Sequence, residues 1–308
     1  MKKIVIGIPI YNEESLIDEL YKRLKEVSNK IEHYTVELLF VNDGSVDKSK
    51  EILEKLSKTD NSVRLVNFSR NFGLESAIRA IIDYADGDAL VVIDGDLQDP
   101  PELIPTLIEK WENGGDVIYT KKKSRKESIH RKFLFSMFYK LQSIVTDFQI
   151  PTQSGNFSLL DKKVVDTIKS LEEHNQYFPG VRAWVGYNQV EVLYDRDKRF
   201  SGEPKMSYRK LINLALNGLF SYTKLPQRVA YFVGLFFLIV GFLIAVYAVI
   251  GKFLYGNRVL GWASIIITII LVGGFQMIFI SLLGEYITRI FDESQKRPNY
   301  IVDQKEKE

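Results

Sequence analysis

The 308-residue sequence has no cysteine and only three histidines. Without cysteine the chain forms no disulfide bond and performs no thiolate chemistry, although this composition is compatible with any compartment. His33, His130 and His174 do not have the spacing of zinc ligands, so we expect them to be structural or exposed. The net charge is only +2 and no nucleic-acid-binding motif is present, so we expect no nucleic-acid partner.

Two other signals are missing from the sequence. No GxGxxG motif follows a strand-like run, which excludes the usual dinucleotide fingerprint of an oxidoreductase. We also expect no secretory signal peptide, because the N-terminal apolar run is too short for one.

Lysine, arginine and aspartate are absent from 229–250 and 262–283. Each stretch would form a helix of roughly 33 Å, which is long enough to cross a hydrocarbon core. A buried helical hairpin of a soluble protein is the alternative, but neither stretch has a polar side that would face water. The sequence therefore predicts two transmembrane helices.

Basic residues are distributed unequally around these two stretches. The connection at 252–261 carries Lys252 and Arg258. The opposite flanks carry Lys205, Arg209, Lys210, Lys224, Arg228, Arg289, Lys296 and Arg297. The positive-inside rule then predicts a multi-pass protein of the cell membrane with both termini in the cytoplasm.

Short β-branched runs alternate with helical patterns in the N-terminal part of the chain. Strands are predicted at 3–9, 35–41, 63–68, 88–93 and 116–120, and helices begin near residues 13, 46 and 74. This alternation predicts βαβ units, an α/β fold and a mostly parallel, doubly wound sheet. Asp99 precedes two prolines, and we expect it to cap a further helix.

Two aromatic and basic segments, at about 129–150 and 206–222, are typical of helices in the lipid headgroup layer. Ordinary core helices remain the alternative for each. The predicted organisation is a cytoplasmic catalytic domain at 1–225, an anchor at 226–285 and a cytoplasmic tail at 286–308.

The motif DGDLQDPPE at 94–102 follows the apolar run 89–93, so it begins where a buried strand ends. Ligands bind at that edge of an open α/β sheet. Asp94 and Asp96 can share one hard divalent cation there, and Gln98 extends the oxygen set. Such a cation can bridge the two phosphates of a nucleotide. A pair of solvated surface acids is the alternative.

The motif IPIYNEE ends the first predicted strand. Its Tyr11 can stack on a flat base, while Asn12 and Glu13 can meet the polar edges of that base. By itself this motif is weak.

The second and third predicted strands end in NDGSVD and SRNFG. Asp43 can accept hydrogen bonds from a base, and Gly44 allows close approach of the backbone. Arg70 and Asn71 are predicted beside the same edge. A plain helix cap is the alternative for Asp43. We regard the convergence of these strand ends with the aspartate pair as the stronger signal.

Basic groups suited to phosphates occur later in the chain. They are the run from Lys121 to Arg125, and Arg199 and Lys205 in RFSGEPKMSY. Solvated surface charge is the alternative, and it is more favoured for Lys121 to Lys123 than for Arg199 and Lys205.

In order and spacing, these motifs resemble those of the membrane-anchored polyprenyl-phosphate glycosyltransferases, the dolichyl-phosphate-mannose-synthase-like branch of the family 2 glycosyltransferases. The resemblance covers nearly the whole chain and extends to SGNFSLLDKKVV at 154–165 and GEYITRIFDESQKRPNYIV at 284–302. It is greatest to bacterial bactoprenol (undecaprenyl-phosphate) sugar transferases with a two-helix C-terminal anchor.

The resemblance implies a GT-A fold and an inverting transfer of one sugar, usually from a UDP-sugar, to a lipid phosphate. It also implies Mg²⁺ or Mn²⁺ as cofactor and a homo-oligomer. The residues that match metal-binding positions are Asp94, Asp96 and Gln98. Those that match positions around the nucleoside are Pro9, Tyr11, Glu13 and Asp43. Those that match phosphate-contacting positions are Arg125, Arg199 and Lys205.

The chain departs from the family pattern at Asn156, because many relatives have an aspartate there that is proposed to act in catalysis. Asn156 cannot be a general base. Either the protein is impaired, or the reaction needs no base because a phosphate monoester, with a second pKa of about 6, is already mostly ionised at neutral pH. Asn156 could instead hold the acceptor phosphate or a sugar hydroxyl. Pro204 and Met206 also depart from the pattern around Lys205.

The resemblance therefore implies transfer from UDP-glucose or UDP-N-acetylglucosamine to undecaprenyl phosphate, giving a lipid-linked sugar for cell-envelope glycans. A processive polysaccharide synthase is one alternative, but the QxxRW motif of such enzymes is broken at Arg182, Ala183 and Trp184. A catalytically silent membrane protein that binds nucleotide sugars and a soluble nucleotidyltransferase are the others.

Overall fold

The computed structural model describes residues 1–122, 154–171, 177–194, 225–255 and 261–303. These residues form two compact units. The first contains the described residues up to 194 together with 298–303, and the second contains 225–255 and 261–297. The predicted interfacial segments at 129–150 and 206–222 lie outside the described residues.

The first unit contains seven described strands and six described α-helices. The strands are β1 Lys2–Ile10, β2 Tyr34–Asn42, β3 Val63–Asn67, β4 Ala89–Val92, β5 Val117–Lys122, β6 Ser154–Asp161 and β7 Gln189–Tyr194. The helices are α1 Ile17–Ser28, α2 Ser49–Thr59, α3 Leu74–Tyr84, α4 Ile104–Glu112, α5 Lys162–Lys169 and α6 Phe178–Trp184. The five predicted strands are confirmed, whereas α1 and α2 begin a few residues later than expected.

The seven strands form one sheet in the order β3-β2-β1-β4-β6-β5-β7. Strand β1 is parallel to β2 and β4, β2 is parallel to β3, and β5 is parallel to β7. Strand β6 is antiparallel to both of its neighbours. The predicted α/β class with a mostly parallel sheet is confirmed. The carboxyl ends of β1 to β4 therefore share one edge, which we call the ligand edge.

The sheet has an apolar layer on each face because side chains alternate along a strand. Ile4, Ile6 and Ile8 of β1 belong to one buried cluster, which includes α1 and α4 residues. Val5 belongs to the other, which includes α3 and α5 residues. Burial on both faces explains why the central strands are nearly continuous apolar runs. This core holds the ligand edge in place.

The prediction that Asp99 caps a helix is wrong. A short 3₁₀ helix at Pro101–Leu103 precedes α4, and Pro100, rather than Asp99, stands at its N-cap position. Asp99 is buried, and its carboxylate accepts a hydrogen bond from the hydroxyl of Tyr194 in β7. A tertiary partner far along the chain thus replaces the local capping bond. The expected proline in the first helical turn is present.

The C-terminal segment 298–303 packs along β3, which is an edge strand. Val302 forms an antiparallel bridge with Phe68, and the carbonyl of Ile301 accepts a hydrogen bond of 2.9 Å from Ser69 N. The ring of Tyr300 stacks on Phe68 with centroids 4.9 Å apart. The phenol of Tyr300 also donates to Asp83 at 3.1 Å. This segment therefore covers an exposed edge of the sheet.

The second unit contains two long helices, α7 Leu225–Tyr255 and α8 Trp262–Ser294. Phe237 and Phe275 bring them together, with ring centroids 4.1 Å apart. Among the described residues, Leu271–Ser294 is long and apolar enough to cross a membrane, with a mean hydropathy of 1.4 and no buried part. Ala230–Ile244 is a shorter apolar stretch. Both predicted spans fall on helices, and their crossing of a membrane stays a prediction.

Candidate active site

The tight turn after β4 carries the two acids that the sequence predicts as metal ligands. Asp94, Asp96 and Gln98 are each partly exposed at the ligand edge. Between the acids lies Gly95, where a Cβ atom would come within 2.5 Å of Ile10 Cδ1 and 2.9 Å of the carbonyl oxygen of Pro9. Only glycine allows the turn to lie so close to the end of β1. The turn is therefore fixed against its neighbouring strand.

The conformation of the turn also depends on local hydrogen bonding. Leu97 has a φ of 56° and its side chain is buried, and Gln98 N donates to Asp96 Oδ1 at 3.1 Å. Among the described residues, no three His, Cys, Asp or Glu side chains are arranged to hold a metal ion. Two carboxylates and an amide are nevertheless a suitable oxygen set for Mg²⁺ or Mn²⁺, because such ions usually take their other ligands from water and substrate phosphates.

Asn156 of β6 lies directly beside Asp94. Strands β4 and β6 are antiparallel with Val92 opposite Ser158, and continuing that register places Asp94 opposite Asn156. The Asn156 amide Nδ2 donates to Asp94 Oδ1 at 3.0 Å. A carboxylate keeps further lone pairs after accepting one such bond, so Asp94 can still bind a cation. The residue that departs from the family pattern is thus in contact with one of the two acids.

Asn156 reaches Asp94 from a β-bulge. Tyr119 of β5 is opposite Ser158 and Lys121 is opposite Ser154, so three residues of β6 face one of β5. Each bulged carbonyl accepts a side-chain hydrogen bond: Gly155 from Arg182 at 3.0 Å, Asn156 from Ser158 at 2.9 Å, and Phe157 from Thr120 at 2.8 Å. Side chains therefore replace the missing ladder bonds.

Asp43 at the end of β2 is buried and binds the loop that follows β3. Its carboxylate accepts hydrogen bonds from Phe72 N at 2.7 Å, from Gly73 N at 3.0 Å and from Asn71 Nδ2 at 2.8 Å. Burial raises the pKa of Asp43, whereas the backbone bonds and the charge of Arg70 favour its ionised form. Both carboxylate oxygens are engaged within the protein. A direct contact of Asp43 with a base stays a prediction.

Gly44 brings the loops after β2 and β3 into contact. Its φ is 62°, and a Cβ atom there would lie 2.3 Å from the carbonyl carbon of Arg70. The close approach predicted for Gly44 is therefore present, and the partner in the structure is the neighbouring loop. Arg70 itself is exposed, with its guanidinium 4.0 Å from the centre of the Phe72 ring.

The loops after β1 and β2 are also joined. Asn12 has a φ of 52°, its N–H donates to Ser45 Oγ at 3.0 Å, and its Oδ1 accepts from Val46 N at 2.9 Å. Glu13 N donates to Ser49 Oγ at 3.0 Å. Tyr11 is 39% exposed, which is compatible with stacking on a base. The structure thus brings the predicted strand ends together at one edge.

The sequence analysis did not identify Glu75 as a site residue. It considered Arg182 only as part of the broken QxxRW motif, which argues against a processive synthase. Glu75 Oε2 accepts a hydrogen bond from Phe178 N at 3.0 Å. Burial, together with the negative charge of Asp94, raises the pKa of Glu75 to about 7. Arg182 is fully buried, and burial lowers its pKa to about 10. The signal for Glu75 was its place two residues after the RNFG motif.

Of the predicted phosphate-binding residues, Lys121 and Lys122 are among those that the structure describes. Lys121 forms an ion pair with Glu191 at 2.9 Å, so its ammonium group is engaged on β7. Arg125, Arg199 and Lys205 lie outside the described residues. Their role stays a prediction.

The chain is similar to known proteins over most of its length. The family described as Glycosyl transferase family 2 matches residues 5–169. An uncharacterized glycosyltransferase of Bacillus subtilis, YkcC, is 44% identical over 96% of this chain and 92% of its own length. A protein of Shigella phage SfV named bactoprenol glucosyl transferase is 41% identical over 97% of this chain and 98% of its own.

Among solved structures, the chain is similar to the mannosyltransferase PcManGT from Pyrobaculum calidifontis in complex with GDP-Man and Mn²⁺. The identity is 17%, the similarity covers 68% of this chain and 59% of that one, and the TM-score is 0.46. At this TM-score the similarity supports no inference about ligands.

Proposed function

Because this chain belongs to glycosyl transferase family 2, we propose that it transfers a single sugar from a nucleotide sugar to polyprenyl phosphate. The observation that carries the proposal is the full-length similarity to a bactoprenol glucosyl transferase. That similarity includes the two C-terminal helices as well as the catalytic unit. We propose UDP-glucose as the first donor to test and UDP-N-acetylglucosamine as the second.

Asp94, Asp96 and Gln98 are the residues that would hold a divalent cation, Mg²⁺ or Mn²⁺. When bound, the cation supplies positive charge to the diphosphate as it leaves. The fixed turn around Gly95 supports this role, because ligands held by a rigid backbone need little reorganisation. Arg125, Arg199 and Lys205 are proposed to contact the phosphates.

The nucleoside is proposed to lie over the ends of β1 and β2. The exposed ring of Tyr11 would stack on the base, with Pro9, Asn12 and Glu13 beside it. The Asp43 carboxylate holds the 71–73 loop, so its main contribution would be to keep this surface in shape.

The acceptor phosphate attacks the anomeric carbon from the side opposite the departing diphosphate, which inverts the configuration. A phosphate monoester has a second pKa of about 6, so at neutral pH this nucleophile has already lost its proton. No general base is then required, and an asparagine at position 156 is compatible with turnover. The Asn156 amide instead orients Asp94.

We also propose that α7 and α8 span the membrane, that both termini are cytoplasmic and that the protein forms a homo-oligomer. The apolar stretch Leu271–Ser294 and the excess of basic residues outside the helix connection support the membrane assignment.

The test is to incubate the purified full-length protein with undecaprenyl phosphate, Mg²⁺ or Mn²⁺ and a panel of UDP- and GDP-sugars. Mass spectrometry of the lipid fraction should show one added hexose or N-acetylhexosamine with a single donor. A ladder of added sugars would identify a polymerase instead. No modified lipid with any donor, from protein that binds UDP, would reject the transfer.

A further inference from the structure

Arg182 is the largest fully buried side chain in the described part of the chain. Its guanidinium lies 5.5 Å from the centre of the Tyr119 ring and 5.7 Å from that of Phe178. Among the described residues no carboxylate is within ion-pair distance of it, and Nη2 has no hydrogen-bond partner there. Burying a cation without an anion is unfavourable, so stability alone does not explain an arginine at this position.

The one hydrogen bond that the Arg182 guanidinium makes among the described residues goes to the bulge beside the acid pair. Nη1 donates to the carbonyl oxygen of Gly155 at 3.0 Å. Strand β5 cannot supply this bond, because the register between β5 and β6 shifts between Tyr119 and Lys121. The next residue is Asn156, whose amide contacts Asp94. The carbonyl group that Arg182 binds thus belongs to the residue next to Asn156, and the Asn156 amide orients Asp94.

We propose that Arg182 is a positioning residue for the transfer reaction, which fixes the 155–157 bulge so that the Asn156 amide stays on Asp94. The inference rests on the proposed function, because it assigns Asp94 to that reaction. Arg182 acts through Asn156 and does not touch substrate.

The helix that carries Arg182 is itself held close to the acids. Phe178, at the start of α6, donates its N–H to Glu75 at 3.0 Å, and the Phe178 ring lies against the guanidinium. Helix α6 is therefore connected to α3 at one end and to β6 at the other. A planar guanidinium can stack between rings while it donates, which a lysine ammonium cannot do.

The test is a double-variant cycle with Arg182→Met and Asn156→Ala. The first readout is Mn²⁺ affinity in the presence of UDP, measured by electron paramagnetic resonance. We expect roughly tenfold weaker binding in each single variant, at the low end of the loss seen for other residues that orient a metal ligand. The double variant should match the weaker single variant within about twofold. This readout requires neither an acceptor nor a particular sugar.

The second readout is turnover with the lipid acceptor. Both single variants should lower kcat by about tenfold or more while KM for the nucleotide sugar stays within about twofold, and Arg182→Lys should recover only part of the loss. If Arg182→Met fails to fold, Arg182→Lys and Arg182→Gln take its place in the cycle.

Arg79→Met is the matched control. The Arg79 guanidinium donates to the carbonyls of Leu171 at 2.8 Å and Lys169 at 3.0 Å, away from the acid pair. We expect it to lower the melting temperature with Mn²⁺ affinity and kcat unchanged. Losses in the Arg182 and Asn156 variants that multiply in the double variant would overturn the proposal. Full turnover of Arg182→Met would also overturn it. Absence of wild-type transfer to polyprenyl phosphate would instead reject the proposed function, and the Mn²⁺ cycle would still be measurable.

Discussion

The two halves of the ligand edge are built differently. We call the loops after β1, β2 and β3 the donor side, and the Asp94–Gln98 turn with β6, Glu75 and α6 the transfer side. On the donor side the buried carboxylate of Asp43 is satisfied by N–H groups. On the transfer side, Glu75 is half-buried and Arg182 is fully buried, and neither has an oppositely charged partner among the described residues. The buried charge of the donor side is therefore satisfied within the protein, whereas the transfer side has charged groups without an opposite charge near the proposed metal ligands.

This comparison predicts that the largest loss of rate comes from a change on the transfer side, and that a change on the donor side acts mainly on stability. The largest effect is expected for Asp96→Ala. Loss of one of two charged cation ligands removes several kcal/mol of charge stabilisation, so kcat should fall roughly 10³-fold or more while the protein stays folded. Release of UDP in the presence of lipid phosphate measures this rate.

The matched control for this prediction is Asp86→Ala, because Asp86 is an exposed acid paired with Lys3 at 2.6 Å. Its turnover should equal that of the wild type. Full activity of purified Asp96→Ala would refute the role of the acid pair.

Asp43→Ala should destabilise the donor side. It leaves the N–H groups of Phe72 and Gly73 without their buried acceptor, which should cost about 2–4 kcal/mol of unfolding free energy. Urea unfolding measures the change, and Asp43→Asn, which keeps an acceptor oxygen, should lose less. A variant of native stability that cannot bind UDP would show that Asp43 serves the nucleotide directly.

Glu75→Gln should reveal the unbalanced charge of the transfer side as a pH effect. The folded-state pKa of Glu75 is raised to about 7 from its ordinary value of 4.5, so the folded state holds its proton more tightly than the unfolded state. The free energy of unfolding of the wild type therefore falls as the pH rises from about 4.5 to about 7. The variant has no carboxyl group at this position, so its free energy of unfolding lacks this decrease.

The difference between the two proteins should be near zero at pH 4 and should reach an upper limit of about 3 kcal/mol above pH 8. Melting curves without divalent cations, from pH 4 to 8, measure it. Parallel curves for the two proteins would mean that Glu75 is not desolvated.

Asn156→Asp should have the smallest effect. It places a second carboxylate beside Asp94 in place of an amide donor, and the repulsion should cost about 1 kcal/mol at pH 7 without metal. Added Mn²⁺ should remove most of this cost, which melting temperatures with and without the ion would show. A rise in kcat is not expected, and its observation would mean that the reaction needs a base at this position.

Sequence patterns predicted the parallel part of the sheet because its strands are nearly continuous apolar runs bounded by turn motifs. They placed the starts of α1 and α2 too early, since Asn12 and Glu13 join the loops after β1 and β2 before the first helix begins. The cap at Asp99 failed for a related reason, because its partner Tyr194 is remote in sequence. Local propensity cannot anticipate bonds of this kind.

The acid pair and Asn156 were identifiable from sequence because they stand in short, ordered motifs. The β6 bulge was not, because it is defined by a register between strands that are distant in the chain. The positions of Glu75 and Arg182 beside the acid pair were not identifiable either. Their importance depends on burial and on missing partners, which a sequence does not display.

The contact of 298–303 with β3 has a practical consequence for anyone who wishes to remove the apolar helices. A protein shortened before α7 would lose this segment as well, and the bared strand edge could pair with other chains. The loop that binds the Asp43 carboxylate follows the same strand, so the proposed nucleotide site would be disturbed as well. A workable water-soluble version should therefore rejoin 298–303 through a flexible linker.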